Sequence, residues 1–471
     1  MSQPVRETRP PAQPTVFVMY GATGDLARRL VLPAFFELAR QGLLPEQWRL
    51  VGTSRGDEDT AWFRDHVREA LEEFGPQPGE GPWEDFSARL SYAGGGFSAD
   101  DAGSLPARVA EARDAVGADA QLVHYLAVPP GAALGITRAI EAHGLAEGCR
   151  IVYEKPYGTD LASFEELDAE VQRVFDESQV FRIDHFLAFE AVRNLVGARF
   201  ANTLLGAVWN REHVEQVQID IAETLDVAQR ADFYDATGAF LDMIVTHLFQ
   251  LAATVAMETP ADLSADAVRA ARDAALADFR AVDPAEVVLG QFEGYRDIDG
   301  VADDSSTDTL AAVRLWVDSE RWRGVPFLLR SGKKMAADEQ RITLLLRRPE
   351  GPLTELPERP SALSFSLLEG GRIEVALIVK ALGVGEELTT GTAALPLPSL
   401  PGTDAPPYVK LIHDVLTGDR ALFTGVEGLR NAWQAIEPFQ QARPEVLPYA
   451  EGTWGPDAVE ELAAPRQWFL R

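Results

Sequence analysis

Residues 16–28 read Val-Phe-Val-Met-Tyr-Gly-Ala-Thr-Gly-Asp-Leu-Ala-Arg, an apolar run that enters a glycine-rich turn and then a helical pattern. A strand, a tight turn and a helix start form a pocket where pyrophosphate meets backbone N–H groups and the positive helix end. The candidate cofactor-binding residues are therefore Gly21, Thr23, Gly24, Asp25 and Leu26. Glycines after a strand also occur in ordinary turns, so the wider pattern has to support this interpretation.

The first part of the chain repeats the strand-then-helix order of that stretch. Predicted strands cover 15–20, 48–53, 121–127, 150–154 and 180–183. Helical patterns lie between them at 26–41, 59–74, 100–115, 131–143 and 163–175. This alternation predicts an α/β Rossmann-type domain with a doubly wound parallel sheet at 15–185, preceded by a flexible tail at 1–14.

The rhythm changes after residue 185. Strand patterns at 214–222, 310–316, 341–346 and 372–380 follow a helix at 190–200, with further helices at 238–256 and 265–279. Strands without regular intervening helices indicate an antiparallel sheet. We therefore predict an α+β domain at 186–471, with a large mostly antiparallel sheet, that binds the substrate and mediates oligomerisation.

Composition excludes several classes of function. The chain has 471 residues and a net charge of −30, which argues against nucleic-acid binding because phosphate contacts need clustered Lys and Arg. No apolar run approaches the roughly 20 residues of a membrane span, and the N-terminus has no apolar core of a signal peptide. The single cysteine, Cys149, fits a reducing compartment. We expect a cytoplasmic protein without membrane or nucleic-acid partners.

Arg55 indicates which dinucleotide is bound. The second predicted strand ends at Gly52-Thr53-Ser54-Arg55, and no acid occurs before Asp57. An acid at this place usually binds the ribose 2′-hydroxyl of NAD, whereas an arginine suits the 2′-phosphate of NADP. We predict NADP, with NAD still possible; the alternative is that Arg55 is an ordinary surface charge.

Lysine is rare in this chain, with five residues against 38 arginines. Lys155 closes a predicted strand in Glu154-Lys155-Pro156, and ligands of open parallel sheets bind beyond the carboxyl ends of the strands. Because arginine carries most of the positive charge in this chain, a retained lysine suggests that its position needs a compact ammonium group. We expect the Lys155 ammonium to point towards the nicotinamide site of the cofactor.

His247 interrupts an apolar helical pattern, 238–256, that also contains Asp242. A buried helical histidine is more often a satisfied core residue than a catalytic one. Oxidation of an alcohol, however, needs a base of near-neutral pKa, and a carboxylate that orients the imidazole makes it a better one. We predict His247 as the base and Asp184, in Arg182-Ile183-Asp184-His185, as its partner.

The chain resembles the glucose-6-phosphate dehydrogenase family over nearly its whole length. The matching segments are Gly21–Ala27, Glu154-Lys155-Pro156, Arg182–His185, Trp209-Asn210-Arg211, Phe233-Tyr234-Asp235, Asp242-Met243 with His247, and Val325-Pro326-Phe327 leading to Arg330-Ser331-Gly332-Lys333-Lys334. Oxidoreductases of the glucose–fructose type share a Glu-Lys-Pro element but lack the segments at 182–187 and 325–334.

The resemblance implies roles for individual residues. His247 would deprotonate the C1 hydroxyl of a pyranose, with Asp184 orienting it, while hydride passes to NADP and a lactone forms. Matching positions of the family hold the sugar, here Lys155, Glu223, Asp242 and Lys333, and His185 matches a ligand of the sugar phosphate. The resemblance also implies a small-molecule sugar as the partner and a homodimer or homotetramer.

The departures concern the phosphate. Phe186 and Phe189 stand where the family has Tyr and Lys, Asp338 replaces a basic residue, and Leu30 replaces a usual Lys. A phosphate dianion needs charge-assisted bonds to offset its lost hydration. Either Arg193 or another arginine rebuilds the pocket of an ordinary glucose-6-phosphate dehydrogenase, or the sugar is unphosphorylated or modified. A third possibility is a catalytically weak regulatory or assembly subunit, against which the retained Asp184, His247 and Lys155 argue.

Overall fold

The computed structural model describes residues 11–227, 230–353, 355–403 and 405–470. The chain forms two compact units. The first runs from the start of the described chain to Gly158 and includes Ala162–Ala188 and Ala405–Thr424. The second comprises Thr159–Leu161, the chain from Phe189 to residue 403, and the chain from Gly425 onward. Residues 1–10 of the predicted tail lie outside the described residues.

The strands, numbered in chain order, build one sheet in each unit. They are β1 Thr15–Tyr20, β2 Trp48–Thr53, β3 Leu90–Ala93, β4 Gln121–Leu126, β5 Arg150–Tyr153, β6 Val180–Ile183, β7 Val214–Ala222, β8 Val287–Phe292, β9 Leu310–Trp316, β10 Pro326–Gly332, β11 Glu339–Leu346, β12 Ala362–Ser366, β13 Arg372–Lys380, β14 Leu388–Pro396, β15 Phe423–Thr424 and β16 Val446–Tyr449.

The α-helices are numbered in the same way. They are α1 Leu32–Arg40, α2 Thr60–Phe74, α3 Glu80–Ser87, α4 Leu105–Val116, α5 Pro130–Ala142, α6 Leu161–Val174, α7 Glu190–Phe200, α8 Thr203–Val208, α9 Ala231–Ala239, α10 Phe249–Ala256, α11 Ala265–Ala277, α12 Pro407–Thr417, α13 Val426–Gln441 and α14 Asp457–Leu462. Two π-helical segments, Ala27–Val31 and Phe240–Leu248, lead directly into α1 and α10.

The sheet of the first unit has the order β15-β6-β5-β4-β1-β2-β3. In the part of the chain that the structure describes, β1 to β6 run parallel to one another, whereas β15 runs antiparallel to its neighbour β6. The order 3-2-1-4-5-6 is that of the Rossmann fold, which confirms the predicted fold class. Strand β3 was not among the predicted strands, because it has only four residues.

Ala405–Thr424 differs from the predicted domain division, which assigned it to the second domain. Helix α12 places Leu411, Ile412 and Val415 in the hydrophobic core of the first unit, and Phe423 of β15 joins the same core. Burial of this apolar face explains why the segment packs there. A prediction of two domains, each formed by one continuous segment, cannot include a late segment that packs on the first domain.

The sheet of the second unit has nine strands in the order β14-β13-β12-β11-β7-β10-β9-β8-β16. Most neighbours are antiparallel, and the parallel pairs are β7 with β10 and β8 with β16. This confirms the prediction of a large mostly antiparallel sheet. The parallel pair β7 and β10 matters for the site, because both strands end at the same edge.

The helical run Ala231–Ala256 is long and apolar enough, by length and composition, to cross a membrane. It contains 26 residues, and 89% of its most apolar window is buried inside the protein. Such burial is typical of a core helix. The apolar pattern alone does not predict a run of this length, because Asp242 and His247 interrupt it.

Candidate active site

The glycine-rich turn joins three strands of the first sheet. Gly21 has a φ of 71°, and a β-carbon there would lie 2.2 Å from the carbonyl oxygen of Ala127. The Gly24 N–H donates to the Gly21 carbonyl at 2.9 Å, and Ala27 is buried at the start of the helical segment. The tight turn, the close backbone approach and the small packed residue fit the requirements of a dinucleotide pyrophosphate. Thr23, Asp25 and Leu26 lie in this turn and first helical residues.

Arg55 lies in the loop that follows β2 and is exposed. The loop backbone is held in place, because the Ser54 hydroxyl contacts the Tyr92 hydroxyl at 2.5 Å and the Gly96 N–H donates to the Ser54 carbonyl at 3.1 Å. Strands β1 and β2 end in register at Tyr20 and Thr53, so this loop and the glycine-rich turn lie at one sheet edge. Leu30 is exposed on the π-helical segment after that turn.

Lys155 follows the end of β5 beside an unusual carboxyl group. Glu154 accepts hydrogen bonds from the Tyr125 hydroxyl at 2.6 Å and from the Tyr408 hydroxyl at 3.4 Å. Desolvation raises the pKa of Glu154 to about 7, although both phenols and the Lys155 ammonium act in the opposite direction. The carboxyl ends of β4 and β5 and the first turn of the returning helix α12 therefore build one polar cluster in the first unit.

Asp184 and His185 follow β6 in the first unit. Asp184 is buried, and its Oδ1 accepts a hydrogen bond from the Phe186 N–H at 3.0 Å. The His185 ring lies 4.8 Å from the Phe186 ring and 6.3 Å from the Tyr408 ring. Phe186 is itself buried, so it acts as a packing partner of His185.

Asp242 and His247 lie on the π-helical segment of the second unit, and both are buried. The Phe249 N–H donates to the Ile244 carbonyl, an i→i−5 bond that defines this geometry. Residues five apart would point about 140° away from each other at 3.6 residues per turn, but they stack on one face when the turn is wider. The π geometry therefore places Asp242 and His247 on the same side of the helix. Asp184 belongs to the first unit, and its pairing with His247 stays a prediction.

Glu223 and Lys333 come together through strand register. Ala222 of β7 is paired with Gly332 of β10 in a parallel ladder, so the next residue of each strand leaves the sheet side by side. The Lys333 ammonium forms an ion pair with the Glu223 carboxylate and lies 5.8 Å from the ring centre of Tyr234. The two predicted sugar-binding residues thus form one charged pair at the edge of the second sheet.

Asp338 contacts the chain next to this pair. Its Oδ1 accepts from the Thr224 N–H at 2.7 Å and its Oδ2 accepts from the Thr224 hydroxyl at 2.6 Å. These bonds lower the pKa of the Asp338 carboxyl group. Asp338 therefore fixes the backbone after Glu223. A contact of Asp338 with the substrate, which its place in the pocket motif suggests, stays a prediction.

Phe189 and Arg193 lie at the start of the second unit. Phe189 is half-buried and precedes the first residue of α7. Arg193, the arginine considered as a replacement phosphate ligand, donates to the Glu190 carboxylate at 2.6 Å. Its charge is thus already compensated within its own helix.

Two residues of functional interest were missed by the sequence analysis. Tyr408 lies about 250 residues after Glu154, and only the return of Ala405–Thr424 brings them together. Asp308 is buried and bonds the start of the segment that carries His247. For Asp308, the position of an acid between two threonines directly before an apolar strand is a sequence signal of a buried carboxylate. The sequence around Tyr408 contains no comparable signal.

Comparisons with known proteins cover almost the whole chain. Residues 18–194 match the family description "Glucose-6-phosphate dehydrogenase, NAD binding domain", and residues 196–469 match "Glucose-6-phosphate dehydrogenase, C-terminal domain". The chain is 36% identical over 488 residues to Glucose-6-phosphate 1-dehydrogenase 2 of Mycobacterium tuberculosis, with 97% of this chain and 95% of that protein covered.

Two further similarities agree with these matches. Glucose-6-phosphate 1-dehydrogenase of Leuconostoc mesenteroides is 31% identical over 474 residues, covering 96% of this chain and 97% of that protein. The solved structure described as "Glucose-6-phosphate dehydrogenase in complex with its substrate glucose-6-phosphate" has a TM-score of 0.90 and 27% identity, covering 98% of this chain and 99% of that one.

Proposed function

The chain belongs to the glucose-6-phosphate dehydrogenase family, and on this premise we propose that it oxidises the C1 hydroxyl of a pyranose sugar to a lactone with NADP as cofactor. The observation that carries the proposal is the π-helical segment that turns buried Asp242 and His247 to one side. A cytoplasmic location remains part of the proposal.

The residues of the chain divide the work of this reaction. His247 accepts the proton of the C1 hydroxyl, and Asp184 holds the imidazole in the correct tautomer and stabilises its charged form. Lys155, Asp242 and the Glu223–Lys333 pair hold the sugar hydroxyls. The glycine-rich turn and Arg55 would hold the phosphates of NADP, and the bound cofactor would supply the acceptor for the hydride.

For the substrate, we propose a hexose that does not depend on a 6-phosphate. At the family positions that hold the phosphate His185 is retained, whereas Phe186, Phe189 and Asp338 carry no positive charge, and Leu30 stands where a lysine is usual. Two observations support the proposal: Asp338 is an anion that accepts bonds from Thr224, and the positive charge of Arg193 is compensated by Glu190.

The alternative is an ordinary glucose-6-phosphate 1-dehydrogenase with a rebuilt phosphate site, which the names of the relatives favour.

The substrate proposal is tested by kcat/KM across glucose 6-phosphate, glucose, 6-deoxyglucose and amino sugars. We expect an unphosphorylated sugar to give the highest value. Replacing Phe186 by Tyr and Phe189 by Lys should raise kcat/KM for glucose 6-phosphate. A wide preference of the natural protein for glucose 6-phosphate would establish the alternative.

The reaction itself is tested by His247→Asn. Loss of a general base should lower kcat about 10²- to 10⁴-fold, with little change in NADP affinity. Unchanged turnover would remove His247 from the mechanism. Absence of NADP reduction by the natural protein with every sugar would favour the regulatory or assembly role.

We propose that the protein forms a homodimer through the outer face of β13 and β14. On that face Leu377 and Val379 of β13 are exposed, and so is Leu395 of the neighbouring strand β14. Within the two described strands this face carries no charged side chain. Two copies with a net charge of −30 each repel one another, so an uncharged apolar face is where they could meet.

A further inference from the structure

The helical segment that carries Asp242 and His247 begins at an anchored point. Gly238 has a φ of 73° and breaks the helix before Phe240. The Phe240 N–H donates to the Asp308 carboxylate at 2.7 Å, and the Ala239 N–H donates to the Asp308 carbonyl at 2.8 Å. Backbone donors in the first turn of a helix have no partner within the helix, so Asp308 satisfies two of them.

The approach of Asp308 depends on the glycine. A β-carbon at Gly238 would lie 2.5 Å from Oδ1 of Asp308, which is far below van der Waals contact. Replacement of Gly238 by a larger residue would therefore push the carboxylate away from the helix start. The positive φ and the absent side chain together allow this contact.

The Asp308 carboxylate is almost completely buried. Burial raises its pKa, while an ion pair with Arg443 favours the charged form. Arg443 comes from the chain between α13 and β16, and half of its side chain is exposed. Among the described residues, the ionisable groups whose pKa the Asp308 carboxylate raises include the phenols of Tyr234, Tyr295 and Tyr449. Of Arg443 and these phenols, only Arg443 supplies positive charge.

We propose that the Asp308–Arg443 pair positions the segment Phe240–Leu248 and thereby sets the placement of His247 and Asp242 for the sugar oxidation proposed above, on which this inference rests. The segment starts at the Asp308 contact, Asp242 follows two residues later and His247 seven residues later. A shift at the start therefore moves both side chains. Misplacement of a reacting group by about 1 Å can cost about 100-fold in rate.

The test compares variants at both positions. Asp308→Asn keeps the shape and an acceptor for the Phe240 N–H but loses the attraction to Arg443. We expect kcat to fall about 10- to 100-fold, with NADP affinity nearly unchanged. Arg443→Lys keeps a cation and should retain most of the activity, whereas Arg443→Met should not. Asp318→Asn, which breaks an exposed ion pair with Arg280 in the same unit, is the matched control.

The pH profile separates positioning from a merely structural role. Removal of the Arg443 charge raises the pKa of Asp308 further, so the acid-side fall of kcat should begin about one pH unit higher in Arg443→Met. Adding Asp308→Asn to this variant should abolish that displacement, because no carboxyl group remains to titrate. Thermal melting of each variant accompanies the kinetics.

The outcomes also separate this inference from the proposed function. If the natural protein reduces NADP but the variants keep the natural kcat and pH profile, the Asp308–Arg443 pair does not position the segment. The same conclusion follows if the loss of kcat in Asp308→Asn parallels a loss of folded protein. If the natural protein is inactive with every sugar, the proposed function has failed instead.

Discussion

Glu154 lies directly before Lys155, a residue of the predicted active site, and the pKa of its carboxyl group is raised by desolvation. Tyr125 and Tyr408 both donate to its carboxyl group, yet desolvation still raises its pKa to about 7. A carboxyl group in water has a pKa near 4.5. Between these two values the folded protein therefore holds a proton that the unfolded chain has released.

This difference predicts how stability depends on pH. A raised pKa in the folded state contributes stability that is complete below pH 4.5 and is lost as the pH rises through about 7. Glu154→Gln removes the titration, so urea unfolding should show the variant gaining relative to the natural protein between pH 5 and 8, by at most about 3 kcal/mol. Glu80→Gln, on the exposed start of α3, is the control. A pH-independent difference would contradict the assignment.

Arg55 gives a prediction for the cofactor. Arg55→Ala removes a charge-assisted bond to the 2′-phosphate, so the KM for NADP should rise about 10-fold or more, while that for NAD stays unchanged. Arg108→Ala, which breaks an exposed ion pair with Glu111 on α4, serves as the matched control. Steady-state kinetics with both cofactors provide the measurement. If the natural protein prefers NAD, the interpretation of Arg55 is wrong.

The partners of individual site residues were harder to predict from the sequence than the residues themselves. Lys333 and Glu223 could be singled out from motifs, and strand register explains their pairing. For Asp338, the change of charge sign in a pocket motif predicts a substrate contact, which stays a prediction, and the structure adds Thr224 as a partner. Its bonds to Thr224 depend on β11 lying antiparallel to β7, a long-range pairing that local sequence does not encode.

At the scale of elements, the glycine-rich turn is where fold and cofactor binding coincide. Gly21→Ala should destabilise the protein by more than about 1 kcal/mol and weaken NADP binding, because the new methyl group meets the Ala127 carbonyl and the positive φ is strained. Gly131→Ala, in the first turn of α5 with open space around it, should be neutral or slightly stabilising. Unfolding curves and NADP titration decide between these outcomes. Equal effects at both positions would contradict the argument.

Elements with strong periodicity were predictable to within a few residues. Strands β1, β2 and β6 and helix α7 have the predicted bounds, because their apolar patterns are clear and their ends carry turn residues. The π geometry at Phe240–Leu248 was not predictable, since the same apolar run also fits an α-helix. Yet this geometry brings Asp242 and His247 to one face. The candidate residues could thus be found from sequence, but not the arrangement that aligns them.

On the scale of the whole molecule, an uncharged apolar face in the second sheet contrasts with the strongly acidic composition of the chain. The chain carries a net charge of −30, while β13 and its neighbour, the edge strand β14, expose an apolar face without charge. Long exposed edge strands invite pairing with another chain. Self-association through this face would cover apolar surface and keep the acidic surface in water.

This reasoning leads to a prediction about assembly. Leu377→Glu places a carboxylate in the centre of the face, so each copy would bury an unpaired charge against the same charge of its symmetry mate. We expect the natural protein to sediment as a dimer or a larger assembly and the variant to sediment as a monomer. Leu263→Glu, at an exposed position before α11, is the matched control and should leave the mass unchanged. A monomeric natural protein, or a variant that assembles as the control does, would show that this face serves another purpose.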